Sequence, residues 1–132
     1  MSKYLEKAEA LRSAQDRHYN CAQSVLIPFA EEAGLEEETA YRVAANFGSG
    51  MKMGATCGAI TGALMALGLH NIADGDALKK ILEKMKETHD GCTDCRDLLA
   101  RSTKLGIPRK THCDGLVYEL ISVVEEILEE RA

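Results

Sequence analysis

Five cysteines in a chain of 132 residues are the side chains with the clearest capacity for chemistry. Four of them are predicted to lie in the first turn of a helix, where unpaired backbone N–H groups and the helix dipole stabilise negative charge. A thiol in that position ionises more readily, and the thiolate is both a nucleophile and a metal ligand. These four candidate site residues are Cys21, Cys57, Cys95 and Cys113.

The residues that precede two of these cysteines are typical of helix caps. Asn20 stands directly before Cys21 and is followed three residues later by Gln23, which is the spacing of a capping box. Thr111 stands two residues before Cys113 and is predicted to cap the last helix. We therefore expect Cys21 at the first position of its helix and Cys113 at the second position of its own.

Cys57 lies within a glycine-rich segment, FGSGMKMGATCGAITGALMALG, and is predicted to follow a helix start at Gly54. Glycines recur there at every fourth position, at Gly50, Gly54, Gly58 and Gly62. A glycine inside a helix costs about 0.5–1 kcal/mol relative to alanine, so repeated glycines indicate that another group approaches the backbone. That group could be a neighbouring helix, a second subunit in a homodimer or a cofactor. Gly54, Gly58 and Gly62 are therefore candidate cofactor-binding residues.

The same segment contains an uncharged run, residues 53–69, which raises the question of a membrane helix. A membrane span needs about 20 apolar residues. This run is shorter, is bracketed by Lys52 and His70, and contains many glycines, alanines and threonines, which contribute little transfer energy. We therefore expect a buried helix and not a membrane-embedded one.

Cys92 and Cys95 form the only Cys-x-x-Cys motif in the chain. Thr93 is a candidate cap for the helix that contains Cys95. The motif lacks the βαβ surroundings of a thioredoxin, which weakens that analogy. With His112 and Cys113 it could supply four zinc ligands, although a helix is predicted between the two pairs.

The hydrophobic period is near 3.6 residues in every long segment, and no convincing alternating strand occurs. The sequence therefore predicts an all-α fold, a compact bundle of about six helices with a central Gly/Ala-rich helix, in a single domain over residues 1–132. The expected helical segments are 2–17, 21–33 with a kink at Pro28, 36–46, 55–69, a segment opening at 74–76, 94–103, and a last one from Thr111.

The charge distribution excludes several classes of partner. The net charge is −5, the isoelectric point is about 5.4, and no cluster of lysines and arginines is present. Aromatic residues, on which nucleic-acid bases could stack, make up only 5% of the chain. We therefore expect neither nucleic acid nor an anionic membrane surface as a partner. The N-terminal segment has no apolar core typical of a signal peptide, which favours a reducing cytoplasmic location.

The order and surroundings of the four cysteines resemble a known family, the C_GCAxxG_C_C redox-active proteins. The matching segments are NCAQSVL around Cys21, CGAITG from Cys57, CRDLL from Cys95 and HCDGLV around Cys113. The resemblance extends over nearly the whole chain and implies a small, helical, cytoplasmic protein of prokaryotes with redox-active cysteines. Cys92 lies outside this pattern. The resemblance implies no particular substrate or redox partner and leaves open whether the chain is an enzyme.

Three hypotheses follow for the function. In the leading one, the cysteines approach one another and cycle between dithiol and disulfide, with Cys57 as the central thiolate and Cys21, Cys95 or Cys113 as the group that resolves it. In the second, the same four thiolates bind a metal ion or an iron–sulfur cluster. In the third, the chain is a structural or interaction protein, and its cysteines contribute only to stability.

Overall fold

The computed structural model describes residues 2–132, and this part of the chain contains seven α-helices and no strand longer than an isolated bridge. The helices are α1 (Lys3–Ser13), α2 (Cys21–Ala30), α3 (Glu37–Ala44), α4 (Gly58–Leu69), α5 (Gly75–Thr88), α6 (Cys95–Lys104) and α7 (Arg109–Glu130). The predicted all-α fold is confirmed, with seven helices where about six were expected. No helix in the described residues is long and apolar enough to cross a bilayer.

Helices α2 and α4 pack closely against each other, and two of the spaced glycines lie at their contact. A Cβ atom on Gly62 would lie 2.6 Å from the carbonyl oxygen of Ala22. A Cβ atom on Gly58 would lie 3.2 Å from the backbone nitrogen of Ala22 and 3.3 Å from the Cβ atom of Cys21. The group that approaches these glycines is therefore a neighbouring helix of the same chain.

Helix α2 is buried on almost all sides, and the long helix α7 packs beside it. Only Cys21 and Pro28 of α2 are not classed as buried. The buried aliphatic side of α7 spans about three turns of the helix. Its residues are Leu116, Val117, Leu120, Ile121, Val123, Val124 and Ile127. With no tryptophan in the chain, the core is built mainly from aliphatic side chains of this kind.

Helix α7 begins at Arg109, so the predicted cap at Thr111 is wrong. Pro108 precedes the helix with φ −58° and ψ 144° and makes no side-chain cap. Gly106, with φ +74°, lies in the left-handed region just after the previous helix, and four residues, 105–108, connect the two helices. The backbone N–H of His112 donates to the carbonyl oxygen of Pro108 at 3.0 Å, so the first turn of the helix forms before Thr111 could cap it. Cys113 is therefore the fifth residue of α7 instead of the second.

Helix α4 also begins later than predicted, at Gly58 instead of near residue 55. The preceding segment Gly50–Gly54 forms a single wide turn in which Met51 and Lys52 have positive φ angles of 59° and 62°. Ser49 is also left-handed, with φ 54°. Non-glycine residues in this conformation cost energy and persist only where the surrounding structure holds them. The strained turn stands directly before Cys57.

Two other predicted boundaries differ at their C-terminal ends. Helix α1 ends at Ser13 and not near residue 17, because Ala14 takes an extended conformation with ψ 137°. Helix α2 ends at Ala30 and continues as a 3₁₀ turn over Glu31–Ala33. Gly34 then adopts φ 87°, which is the left-handed stop that the sequence predicts.

We expect Gly62→Ala to destabilise the fold by about 1–3 kcal/mol, because the added methyl group would overlap the backbone of α2. Gly68→Ala is the matched control in the same helix, since a Cβ atom there would meet nothing within 4 Å. Gly68→Ala should stabilise the protein by about 0.5–1 kcal/mol, because alanine favours the helical conformation more than glycine does. Urea unfolding measures both free energies. Equal stability of the two variants would contradict the assignment of Gly62 to helix packing.

Candidate thiol site

Four of the five cysteines line one cavity of about 500 Å³. They reach it from four different parts of the chain, at the starts of α2, α4 and α6 and in the second turn of α7. These residues are Cys21, Cys57, Cys95 and Cys113. They are the four that the sequence singles out, and the structure brings all of them together. A cavity of this size is in the range that small-molecule ligands occupy.

A short antiparallel pairing joins the segments that carry Cys57 and Cys95. The backbone N–H of Cys57 donates to the carbonyl oxygen of Thr93 at 3.0 Å. The backbone N–H of Cys95 donates to the carbonyl oxygen of Ala55 at 2.6 Å. The two hydrogen bonds hold the starts of α4 and α6 side by side, which explains why residues 55–57 are not helical.

Gly50 in the preceding turn is required for this pairing. A Cβ atom there would lie 2.4 Å from the carbonyl oxygen of Ala55 and 2.8 Å from the Cβ atom of Cys95. Gly50 also has φ +61°, in the region that favours glycine. A side chain at this position would push the two cysteine-bearing segments apart.

The predicted capping box holds Cys21 at the first position of α2. The Asn20 side chain accepts from the Gln23 backbone N–H at 2.8 Å, and the Gln23 side chain accepts from the Asn20 backbone N–H at 2.7 Å. The Asn20 amide also donates to the carbonyl oxygen of Ala45 at 3.1 Å. Cys21 is therefore fixed by local capping and by the end of α3 together.

Three of the four cysteines lie at helix starts as predicted, and Cys113 does not. Cys21 and Cys95 are first helical residues, and Cys57 is the residue that precedes α4. Cys113 lies one turn inside α7 because that helix begins at Arg109.

The thiols of Cys113 and Cys21 lie near each other at the cavity, and each acts on the pKa of the other. Hydrogen bonding with Cys21 is the largest influence on Cys113 and lowers its pKa to about 6, against the opposing effect of burial. The nearby charges of Arg12 and Arg109 lower it further. The same hydrogen bond, followed by burial, raises the pKa of Cys21. The interaction between the two thiols therefore favours the negative charge on Cys113 and the proton on Cys21.

The other two cavity cysteines remain protonated at neutral pH. Burial raises the pKa of Cys57 to about 11, although the backbone N–H groups of Ala59 and Ile60 act in the opposite direction. No side-chain hydrogen bond from Cys57 caps α4. Burial, followed by the nearby Cys113, raises the pKa of Cys95. The expectation that helix starts would lower these thiol pKa values is wrong for both residues, because removing the thiolate from water outweighs the helix N-terminus.

Two arginines at the cavity are functional candidates that the sequence reasoning missed. Arg12 is held by Asp114, with 2.6 Å between Nε and Oδ1, and donates to the carbonyl oxygen of Tyr19 at 2.8 Å. Arg109 lies one helical turn before Cys113, a spacing that places both on one face of α7. The spacing of Arg109 and Cys113 is visible in the sequence and could have indicated that Arg109 lies near the thiol. No sequence feature near Arg12 indicates that it lines the cavity.

His112 also lines the cavity, and it is neutral there. Its Nε2 atom is buried and has no hydrogen-bond partner in the described residues. Burial, followed by the nearby charges of His89 and Arg101, lowers its pKa. His112 is therefore a neutral imidazole beside the thiols.

Of the glycines predicted to bind a cofactor, only Gly58 lines the cavity. Gly54 faces Arg96, whose Cβ atom would lie 3.1 Å from an added Cβ atom, and Gly62 faces α2. Cys92 does not line the cavity. Its sulfur lies 3.9 Å from the carbonyl oxygen of Asp90. The Cys-x-x-Cys motif therefore does not place both of its thiols in the site.

All five cysteines are free thiols in this structure. Within residues 2–132, no group of three or more histidine, cysteine, aspartate or glutamate side chains is arranged to hold one metal ion. The predicted combination of Cys92, Cys95, His112 and Cys113 is not assembled as a zinc site. The hypothesis of a metal or cluster held by the four cavity thiols stays a prediction.

Comparison with known proteins agrees with this geometry. A search of curated proteins and a search of solved structures each returned no match. A family model described as "Putative redox-active protein (C_GCAxxG_C_C)" matches residues 19–127. The match begins just before Cys21 and includes all four cavity thiols. Since it covers most of the chain, the protein belongs to the C_GCAxxG_C_C family of redox-active proteins.

Proposed function

We propose that this protein is a thiol–disulfide redox protein in which Cys113 is the nucleophile and Cys21 is the resolving thiol. The observation that carries the proposal is that both side chains line one cavity, where the interaction between them lowers the pKa of Cys113 and raises that of Cys21. A thiolate beside a thiol, both facing one cavity, is the arrangement that thiol–disulfide exchange needs. The family match supports redox chemistry in general.

The exchange proceeds in two steps. The Cys113 thiolate attacks one sulfur of a substrate disulfide, which forms a mixed disulfide and releases one substrate thiolate. The Cys21 thiol then loses its proton and attacks the Cys113 sulfur, which forms the Cys21–Cys113 disulfide and releases the second thiolate. The substrate gains two electrons and the dithiol loses two, and a dithiol reductant restores the pair.

The hydrogen bond also explains how Cys21 becomes reactive at the right moment. Its pKa is raised first by the hydrogen bond to Cys113 and then by burial and by the charge on Cys113. Once Cys113 is part of a mixed disulfide, that negative charge is gone. Cys21 then ionises more easily, and Arg12 lies near enough to stabilise the new thiolate. The resolving thiol is therefore activated by the first step.

This proposal replaces Cys57 by Cys113 as the central thiolate. Cys57 is only 3% exposed and buried in the core. A buried thiol with a raised pKa is a poor nucleophile. We infer that Cys57 and Cys95 shape the apolar side of the cavity in the reduced protein.

We expect mild oxidation to join Cys21 to Cys113 before it joins any other pair. Differential alkylation followed by peptide mass spectrometry identifies the bond. Cys21→Ser and Cys113→Ser should each abolish it, whereas the matched control Cys92→Ser should not, because Cys92 lies outside the cavity. Five free thiols after oxidation would overturn the proposal.

We expect alkylation of Cys113 by iodoacetamide to rise with a midpoint near pH 6, as its thiolate forms. The rate follows the thiolate fraction, so the reaction is slow at pH 5 and nearly constant above about pH 7. Cys21→Ala removes the hydrogen-bond donor and should move the midpoint to higher pH. Residue-resolved mass spectrometry measures both profiles. A midpoint near pH 9 in the unsubstituted protein would contradict the assigned thiolate.

Metal or cluster binding by the same four thiols is the second candidate, and their convergence on one cavity favours it. The arrangement of the described side chains does not favour it, since no three of them are placed around one ion. Metal analysis and a visible absorption spectrum of anaerobically purified protein distinguish the two. A stoichiometric metal with a thiolate charge-transfer band, lost in Cys113→Ser, would select the second candidate.

A further inference from the structure

The cavity that holds the thiols has a strongly cationic lining in an acidic protein. The chain carries a net charge of −5, yet apart from the Cys113 thiolate every charged side chain that lines this cavity in residues 2–132 is basic. They are Arg12, Arg17, Arg109 and Lys110. A wall of one sign raises the local concentration of oppositely charged small molecules.

Salt bridges to the surrounding chain do not cancel this charge. Arg12 and Lys110 share a single carboxylate, that of Asp114, at 2.6 and 3.0 Å. Arg17 forms a salt bridge with Glu38, which compensates its charge. Arg109 has no ion pair in the described part of the chain, and its guanidinium contacts the Ser49 hydroxyl at 3.4 Å. These carboxylates therefore leave two positive charges at the cavity, one shared by Arg12 and Lys110 and one on Arg109, and the Cys113 thiolate compensates one of them.

Arg109 places one of these positive charges near Cys113, whose sulfur is the reacting atom in the proposed exchange. Arg109 lies one helical turn before Cys113 on α7, and its positive charge lowers the pKa of the Cys113 thiol. The left-handed backbone at Ser49 presents the hydroxyl that Arg109 contacts. A guanidinium with no carboxylate partner is suited to bidentate binding of a carboxylate.

We propose that the substrate is a small anionic disulfide whose carboxylate binds Arg109 while its sulfur meets Cys113. This inference rests on the proposed thiol–disulfide function and adds the class of substrate. In the exchange, one substrate sulfur joins Cys113, and the other leaves as a thiolate. The carboxylate on the bound half holds that half beside Arg109 until Cys21 displaces it. Reduction by dithiothreitol returns the Cys21–Cys113 disulfide to the dithiol.

The test compares three disulfides that share two-carbon arms and differ in charge: 3,3′-dithiodipropionate, 2-hydroxyethyl disulfide and cystamine. Each is reacted with the reduced full-length protein, and each rate is divided by its rate with a neutral low-molecular-weight thiol. We expect the anionic probe to react about tenfold or more faster than the cationic one, with a preference that declines as salt is added.

Arg109→Gln is expected to reduce the ratio of anionic to neutral rates several-fold. The ratio is used because Arg109 also acts on the Cys113 thiolate, and that effect is common to all probes. Lys79→Gln removes the same charge from α5, away from the cavity, and should leave the ratio unchanged.

The outcomes separate this inference from the proposed function. No exchange with any probe would overturn both. Exchange at equal normalised rates would overturn the anionic substrate and leave the thiol–disulfide function standing. An anionic preference that persists in Arg109→Gln would overturn the assignment to Arg109.

Discussion

The site depends on the close contact between the backbones of α2 and α4. Gly58 and Gly62 have no side chains to separate the helices, so Ala22 packs directly against them. This contact places the Cβ atom of Cys21 beside the start of α4, where Cys57 stands. Side chains at these two glycine positions would hold α2 and α4 further apart and would separate Cys21 from Cys57. The glycines therefore bring Cys21 and Cys57 together, because they let the two helix backbones approach closely.

Within the cavity, the balance between burial and nearby charge sets the behaviour of each thiol. Cys57 is buried at a helix start, and burial raises its pKa despite two backbone N–H groups nearby. Cys113 lies one turn inside its own helix, yet the neighbouring Cys21 thiol and two arginines lower its pKa. A directed hydrogen bond and full positive charges outweigh desolvation at Cys113. The partial charge of a helix terminus does not outweigh it at Cys57.

Much of the fold is readable from the chain because its signals are local. The 3.6-residue period, the Asn20 capping box and the Gly34 stop all act within one or two turns of the backbone. The predictions for the starts of α4 and α7 were wrong because those starts depend on other segments. Residues 55–57 are held by pairing with residues 93–95, and α7 starts directly after Pro108, where the His112 N–H donates to the Pro108 carbonyl oxygen.

The sequence by itself determined the helical class, the family and the identity of the four thiols, because cysteine type, spacing and hydrophobic period are properties of the chain. Only the tertiary structure decided that Cys92 lies outside the cavity and that Cys113 is the thiol whose pKa is lowered. It also decided that the cavity wall is basic, with Arg12 from α1 and Arg109 from α7 on it. Burial and Coulomb interactions depend on distances between groups far apart in sequence, and those distances exist only once the helices have packed.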